Sequence, residues 1–252
     1  MRRGVIKGQV AVIIPVYKDI LSADEVLSLR QCVTVLNKYK IIFVGPEKLN
    51  FSEYLKFCAD ISYELVLFDD KYFKDINGYN KLLLSTKFYK QFFQYKFILI
   101  HQLDAYVFSD RLSEWCDKNY DFIGAPVPAH QNDKGEIQFL KNYSKLAKLV
   151  NHKVRHVGNG GLALRKVKTC YWLLKMLNFQ VKSWGSNNED GFFKYWANIF
   201  FPLIRIPTED EAMSFSIETN PAASLRKLDY TLPFGCHAFR KYDWEIWKSF
   251  IK

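Results

Sequence analysis

The sequence predicts an α/β fold with a mostly parallel central sheet flanked by helices. Three observations predict it. Val10-Ala11-Val12-Ile13-Ile14-Pro15-Val16 is a continuous apolar, β-branched run, the pattern of a strand buried on both faces. Strand and helix patterns then alternate through four strands at about 25–30 residues per unit, the spacing of parallel crossovers. Polar residues gather where the strands end, at Tyr17 and Lys18, Asp69 and Asp70, then Gln102 and Asp104, the edge at which open α/β sheets bind ligands.

The elements follow in order. Ser22-Ala23-Asp24-Glu25 has the spacing of a capping box. The helix it opens carries Val26, Leu29, Val33 and Leu36 on one face. Ile41-Ile42-Phe43-Val44 is a second strand, stopped by Gly45-Pro46. A short helix over 51–59 leads to a third strand, Leu65-Val66-Leu67-Phe68. A longer helix is expected over 80–94, with Leu84, Phe88, Phe92 and Tyr95 near one face. The fourth strand, Phe97-Ile98-Leu99-Ile100, runs into His101-Gln102-Leu103-Asp104. Beyond it come a helix over 111–118, a short strand over 121–124 and a polar stretch over 126–142 without periodicity. A strand over 161–164, a helix over 166–177 and a helix opening near Glu189 follow, then an aromatic tail over 229–252. No linker-like segment divides the chain, so residues 1–252 are expected to form a single domain.

Of 252 residues, 49% are hydrophobic and 17% aromatic, enough for a sizeable core and unlike a disordered chain. No apolar run reaches the roughly 18 residues that span a bilayer. The basic start, Met1-Arg2-Arg3-Gly4, lacks the apolar core of a signal peptide, so a cytoplasmic protein is expected. The five cysteines are widely spaced, odd in number and without a C-x-x-C pair, which argues against a disulfide framework and a zinc site. The formal charge is +10. Its basic residues are dispersed and accompany no helix-turn-helix, RNA-binding or zinc-finger signature, so no nucleic-acid partner is expected. An anionic membrane surface and a phosphate-bearing substrate remain.

The chain has no G-x-G-x-x-G and no G-x-x-x-x-G-K-[ST], which sets aside dinucleotide dehydrogenases and P-loop NTPases. Five other segments carry polar residues in suggestive settings. Leu103-Asp104-Ala105-Tyr106-Val107-Phe108 places a carboxylate after a buried strand. His156-Val157-Gly158-Asn159-Gly160-Gly161 offers close backbone approach to a ligand. Asn188-Glu189-Asp190-Gly191 sets an acidic pair on a helix N-terminus behind a candidate Asn cap. Pro233-Phe234-Gly235-Cys236-His237 presents a late histidine, and Gly78-Tyr79-Asn80-Lys81 opens the long helix near an anion-binding end.

Together with Val12-Ile13-Ile14-Pro15-Val16-Tyr17 and Ile123-Gly124-Ala125-Pro126, these segments resemble, in order, a bacterial and fungal family of GT-A-like proteins known mainly as a domain of unknown function. The resemblance covers roughly 10–239. It implies a GT-A-like, Rossmann-related fold with a nucleotide-sugar-binding half over about 10–125 and an acceptor half over about 126–252. It implies that Pro15 and Tyr17 hold the nucleotide base, and that Asp69, Tyr79, Asn80, Lys81, Gln102, Asp104, Gly160 and Gly161 contribute to the donor site. Glu189 and Asp190 resemble the acidic pair of inverting members, with Asp190 as general base. Asp104 and His237 would hold a divalent Mn²⁺ or Mg²⁺, although Tyr106 stands where a second Asp is expected.

The activity so implied is transfer of a sugar from a nucleotide-sugar donor to a hydroxyl of a bacterial surface glycan. The acceptor would be a glycan or a lipid-linked glycan, met at the inner face of an anionic membrane. Two alternatives stay open: a retaining transferase on the same fold, and a non-catalytic subunit that binds nucleotide sugars or glycans.

Overall fold

A computed structural model describes residues 8–126, 155–185, 187–197 and 203–252. Most of the polar stretch expected over 126–142 therefore lies outside the described residues. β1 (Val10–Pro15), β2 (Lys40–Pro46), β3 (Tyr63–Phe68) and β4 (Phe97–His101) are the four strands read from the sequence, and β5 (Ala105–Val107) follows at once. β6 (Phe122–Ile123), β7 (Leu162–Lys166), β8 (Ser216–Ile217) and β9 (Gly235–His237) complete the strands among the described residues.

The main sheet has the order β3-β2-β1-β4-β7-β6. β1, β2, β3 and β4 are mutually parallel, whereas β7 runs antiparallel to both β4 and β6. The chain winds outward one way through β2 and β3, then returns to place β4 on the other side of β1. The carboxyl ends of β1 and β4 thus form the topological switch point at which such sheets open a crevice. β1 shows why it is central. Val10, Val12 and Ile14 enter one apolar cluster and Ala11 and Ile13 the other, so helices must cover both faces.

α1 (Ala23–Val35) begins at the capping box: the Ser22 side chain accepts from the Glu25 backbone, and Glu25 accepts from the Ser22 backbone. α2 (Ser52–Leu55) is short. The helix expected over 80–94 is instead two helices, α3 (Ile76–Leu83) and α4 (Thr86–Lys90). The reason is a second pair of caps. Asp75 accepts the Gly78 N–H at 2.7 Å and Ser85 accepts the Phe88 N–H at 3.2 Å, so each side chain starts its own helix. Asn80 and Lys81 consequently sit in the second turn of α3 rather than at an N-terminus. α5 (Leu112–Asp117), α6 (Val167–Met176) and α8 (Glu189–Tyr195) match their expected positions, whereas α7 (Asn178–Trp184) was not foreseen. Asn188 precedes α8 without making a side-chain cap. α9 (Glu209–Phe215), α10 (Pro221–Lys227) and α11 (Trp244–Trp247) follow.

The tail does not finish the main sheet. β5, β9 and β8 form a separate three-stranded sheet, with Ala105 opposite His237 and Cys236 opposite both Tyr106 and Ile217. Behind it Tyr106, Met213, Leu225, Phe239, Trp247 and Ile251 make a third apolar cluster. Tyr106 is 3% exposed and packs at 5.3 Å from the Phe108 ring centroid and 6.2 Å from that of Phe239. All five cysteines are buried free thiols. Among the described residues no helix is long and apolar enough to cross a membrane.

The burial of Tyr106 sets a test. Tyr106→Asp would place an unpaired carboxylate in this cluster and is expected to cost more than about 3 kcal/mol. Tyr106→Phe removes a single hydroxyl and should cost about 1 kcal/mol or less. Urea unfolding of both variants reads the difference.

Candidate active site

The crevice at the switch point is a cleft of about 380 Å³ lined by 14 residues, which come from the end of β1 and the loop after it, from Glu25 of α1 and Tyr54 of α2, from α3 and its approach, and from the turn after β4. Pro15, Tyr17, Tyr79, Gln102 and Asp104 are among them. So are Lys18, noted in the sequence at the end of β1, and Tyr54, Phe73 and Lys74, which the sequence reading did not single out. A shallower recess of about 240 Å³ continues from it past Tyr17, Pro46, Lys48 and Lys74. Asp69 lies outside both linings, spent on Lys71: it accepts the Lys71 backbone N–H at 2.9 Å and pairs with its ammonium at 2.8 Å. Asn80 is buried and Lys81 is exposed, and neither lines the cleft. Two cations line both spaces, Lys18 and Lys74; Lys18 pairs with Glu25, whereas Lys74 makes no ion pair among the described residues.

The first loop is held rigidly. Glu25 accepts from the Ser22 N–H at 2.7 Å and pairs with Lys18 at 2.7 Å, while the Tyr54 hydroxyl donates to the Lys18 carbonyl. Across the cleft, the Tyr79 hydroxyl is buried, with the Gln102 side chain beside it in poor hydrogen-bond alignment. It lies within electrostatic reach of both Asp104 and Glu189. A weakly satisfied hydroxyl in a cleft wall is a ready contact for a polar ligand.

Asp104 stands in the turn between β4 and β5, with its side chain 56% exposed, so it is free to meet a ligand. The second sheet brings its partners. β9 delivers His237 beside Ala105, and β8 delivers Glu218 beside β9. His237 Nε2 lies 3.1 Å from Asp104 Oδ1, and Nδ1 lies 3.2 Å from Glu218 Oε1. Asn159 Nδ2 donates to Glu218 Oε2 at 2.8 Å, and the Gly161 N–H donates to Asn159 Oδ1 at 2.7 Å. Burial would lower the His237 pKa, but close contact with the Asp104 and Glu218 carboxylates pushes it up to about 9. Desolvation works to raise Asp104, yet His237 holds it below the usual carboxylate range. The Nε2···Oδ1 contact is a close ion pair with poor hydrogen-bond alignment.

Gly160 and Gly161 explain how the rest of the site joins this pair. A Cβ on Gly161 would lie 1.9 Å from His237 Nε2, and one on Gly160 would lie 2.4 Å from Glu189 Oε1. The Gly161 carbonyl also accepts the Gln102 N–H at 2.8 Å. Only a stretch without side chains lets the imidazole and the acidic helix approach the same turn.

Glu189 itself is committed. Its Oε1 accepts from Arg165 Nη2 at 2.6 Å, and Arg165 Nη1 donates to the Tyr89 hydroxyl at 3.0 Å. Arg165 has no exposed surface and its guanidinium lies 4.9 Å from the Phe122 ring centroid and 5.6 Å from that of Phe193. Asp190, the neighbour, makes no such pair: its Oδ1 accepts the Gly191 N–H at 2.8 Å. Burial, and then the charge of Glu189, push its pKa up to about 7. Lys194, one turn on, is pushed down to about 8 by burial.

Two site residues were missed in the sequence. Glu218 follows a two-residue strand, and Arg165 lies just past the strand expected over 161–164. A charged residue within Leu162-Ala163-Leu164-Arg165 was the available clue, because a buried strand rarely carries one unpaired.

The donor set for a divalent ion fits in part. Asp104 and His237 face one another and leave Nε2 unaligned, with Glu218 fixing the far nitrogen in the manner of a carboxylate behind a metal-bound imidazole. Among the described residues no three His, Cys, Asp or Glu side chains are placed to hold one metal ion together, so further ligands would have to come from phosphate oxygens and water.

A family model described as "Protein of unknown function (DUF5672)" matches residues 62–237. No curated protein matches the chain. Three solved structures share its fold. The bifunctional glycosyltransferase WbbM matches at TM-score 0.55 and 14% identity, over 91% of this chain and 45% of that one. The glycosyltransferase GlyE of Streptococcus pneumoniae TIGR4 matches at TM-score 0.54 and 12% identity, over 96% and 60%. The galactosyltransferase LgtC, described in complex with donor and acceptor sugar analogues, matches at TM-score 0.59 and 9% identity, over 90% and 86%. The chain thus spans only about half of the WbbM and GlyE chains. The shared architecture is the GT-A-like fold expected from the sequence.

The buried ion pair predicts a cycle. Arg165→Ala strands Glu189 in the core and is expected to cost about 3–5 kcal/mol. Arg165→Ala combined with Glu189→Gln removes the stranded charge and should recover a substantial part of that loss. Additive costs in a double-mutant cycle by urea unfolding would show that the two side chains do not act as a pair.

Proposed function

The chain belongs to the family described as Protein of unknown function (DUF5672), and we propose that it is a glycosyltransferase, moving a sugar from a nucleotide donor to an acceptor hydroxyl with inversion. One observation carries the reading: the Gly160-Gly161 turn gathers the Asp104–His237 pair and the Glu189-Asp190 helix at the mouth of the β1/β4 cleft. The fold shared with WbbM, GlyE and LgtC supports it.

In this reading Tyr17, Pro15 and the recess beside Lys48 receive the base, and Lys74 and His237 face the diphosphate. A divalent ion, held by Asp104 and His237, would supply additional positive charge to the leaving phosphates. Asp190 accepts the proton of the acceptor hydroxyl as its oxygen bonds the anomeric carbon, and the bond from that carbon to the nucleoside diphosphate breaks. Its pKa near 7 suits a base at neutral pH. Glu189, held by Arg165, positions the helix and takes no proton. The acceptor proposed is a bacterial surface glycan, lipid-linked or phosphate-bearing, in keeping with the charge of +10.

The buried Tyr106 favours a second reading, a subunit that binds donor without turning it over, because the second acidic oxygen of the site is missing. Slow hydrolysis of a nucleotide sugar by the purified protein would eliminate it. Product anomer configuration, read by NMR, separates inversion from retention.

Asp190→Asn should lower transfer about 10²–10⁴-fold while leaving nucleoside diphosphate affinity nearly unchanged. Wild-type kcat should rise tenfold per pH unit below about 7 and level off above it. The sign for stability is opposite. A carboxyl raised in the folded state holds its proton where the unfolded chain has lost it, so stability declines as pH rises from about 4 to 7. Asp190→Asn should flatten that decline in pH-dependent urea titrations.

Asp104→Ala should weaken nucleoside diphosphate binding at least tenfold by calorimetry, and unchanged affinity with Mn²⁺ present would remove Asp104 from the site.

A further inference from the structure

α6 and α7 carry a surface that the cleft does not use. Their inner faces are buried through Cys170, Leu173, Leu174 and Trp184. Their outer face is a single stripe at helical spacing: Lys168, Trp172, Lys175, Met176, Phe179 and Lys182. Trp172 is 51% exposed, Met176 67% and Phe179 80%. Lys175 sits 4.8 Å from the Trp172 ring centroid, which fixes a cation beside an aromatic plane. Isolated exposed apolar residues need no explanation, but three on one stripe do.

The charge around them narrows the occupant. From Arg155 to Asn188 the sequence contains no Asp or Glu, so neither helix supplies an acid of its own to neutralise these lysines. Two copies of the chain meeting here about a two-fold axis would set the same lysines against each other without a counter-charge. Protein interfaces are enriched in Arg and depleted in Lys, the reverse of what this stripe shows. A bilayer with anionic headgroups meets both demands. Trp, Met and Phe enter the headgroup boundary, while lysine stems reach outward to the phosphates.

We infer that the outer stripe of α6 and α7, centred on Trp172, Met176 and Phe179 and flanked by Lys168, Lys175 and Lys182, docks the protein on an anionic membrane surface. α7 continues through the turn at Gly185 into Glu189 and Asp190, so docking brings the acceptor side close to the bilayer. That consequence rests on the transferase reading; the docking itself rests on the surface alone.

The test is sedimentation of the full chain with vesicles of phosphatidylcholine alone and of phosphatidylcholine with about a third phosphatidylglycerol. Binding is expected only with the anionic lipid, falling as salt rises from about 0.05 to 0.5 M. Lys168→Glu/Lys175→Glu/Lys182→Glu should weaken partitioning roughly a hundredfold or more, at about one order of magnitude or a little less for each lysine. Trp172→Ser/Phe179→Ser should weaken it at least tenfold, with unchanged thermal unfolding confirming that the fold survives. Equal binding to neutral vesicles, no binding to either, or retention by the reversed-charge variant would overturn the proposal. So would a concentration-dependent dimer that Trp172→Ser/Phe179→Ser converts to monomer. Hydrolysis of a nucleotide sugar in solution, measured on the same variants, reads the transferase function separately, because none of these side chains lines the cleft.

Discussion

The site depends on a guanidinium with no route to water. Arg165 sits in β7 between two aromatic rings, where an unpaired charge would be untenable, and Glu189 and Tyr89 satisfy it. That bond fixes which carboxylate of the Glu189-Asp190 pair is structural and which is available. It also docks α8 against the main sheet, because β7 pairs with β4, whose end supplies Gln102 and Asp104. One buried charge pair therefore links the position of Asp190 to the position of the cleft. Whatever this pair adds to stability, it confers register: α8 cannot shift a turn without leaving two charges unmatched.

The second constraint is steric. Asp104, His237 and Glu218 come from three separate places in the chain, and only the small sheet of β5, β9 and β8 sets them side by side. The sheet needs its own apolar backing, and Tyr106 belongs to that backing rather than to the cleft. The residue standing where a second acid was expected is thus explained by packing. The ring joins Phe108 and Phe239 and helps hold β5 where Asp104 can meet His237. The chain has one acid fewer at the cleft, and in its place a firmer platform for the acid it keeps.

The sequence made the parallel half legible because each of its strands is a long apolar run. β1, β2 and β4 appeared at their observed positions for that reason, as did the cap at Ser22. The order of the site segments was legible too, since Asp104, Gly160-Gly161, Glu189-Asp190 and His237 occupy one locality. What escaped was everything set by short elements and tertiary partners. β8 and β9 have two and three residues, too few for periodicity, so Glu218 had no signal. Asp75 and Ser85 each cap a helix, but hydrophobic spacing across 84–95 concealed the break between them. Lys81 was expected at a helix N-terminus for the same reason, because the helix start was placed too late, and it stands in the second turn of α3. Asp69 at a strand end resembled a ligand and is instead satisfied by the residue two places on.

The electrostatic balance of the cleft follows from these placements. His237 Nε2 can hold a proton or a metal ion but not both, and Asp104 stabilises either one. Glu218 keeps the opposite nitrogen occupied, so the ring cannot turn away from the cleft when its load changes. In each state positive charge stands beside Asp104 at the cleft, and Lys74 lines the same cleft. Gly160 leaves no room for a Cβ beside Glu189, and Gly161 none beside His237, so one turn without side chains bears on both the helix that carries Asp190 and the Asp104–His237 pair. Burial raises the Asp190 carboxyl toward neutrality. In the proposed transfer that turn would tie the position of the base to the position of the charge facing the leaving phosphate.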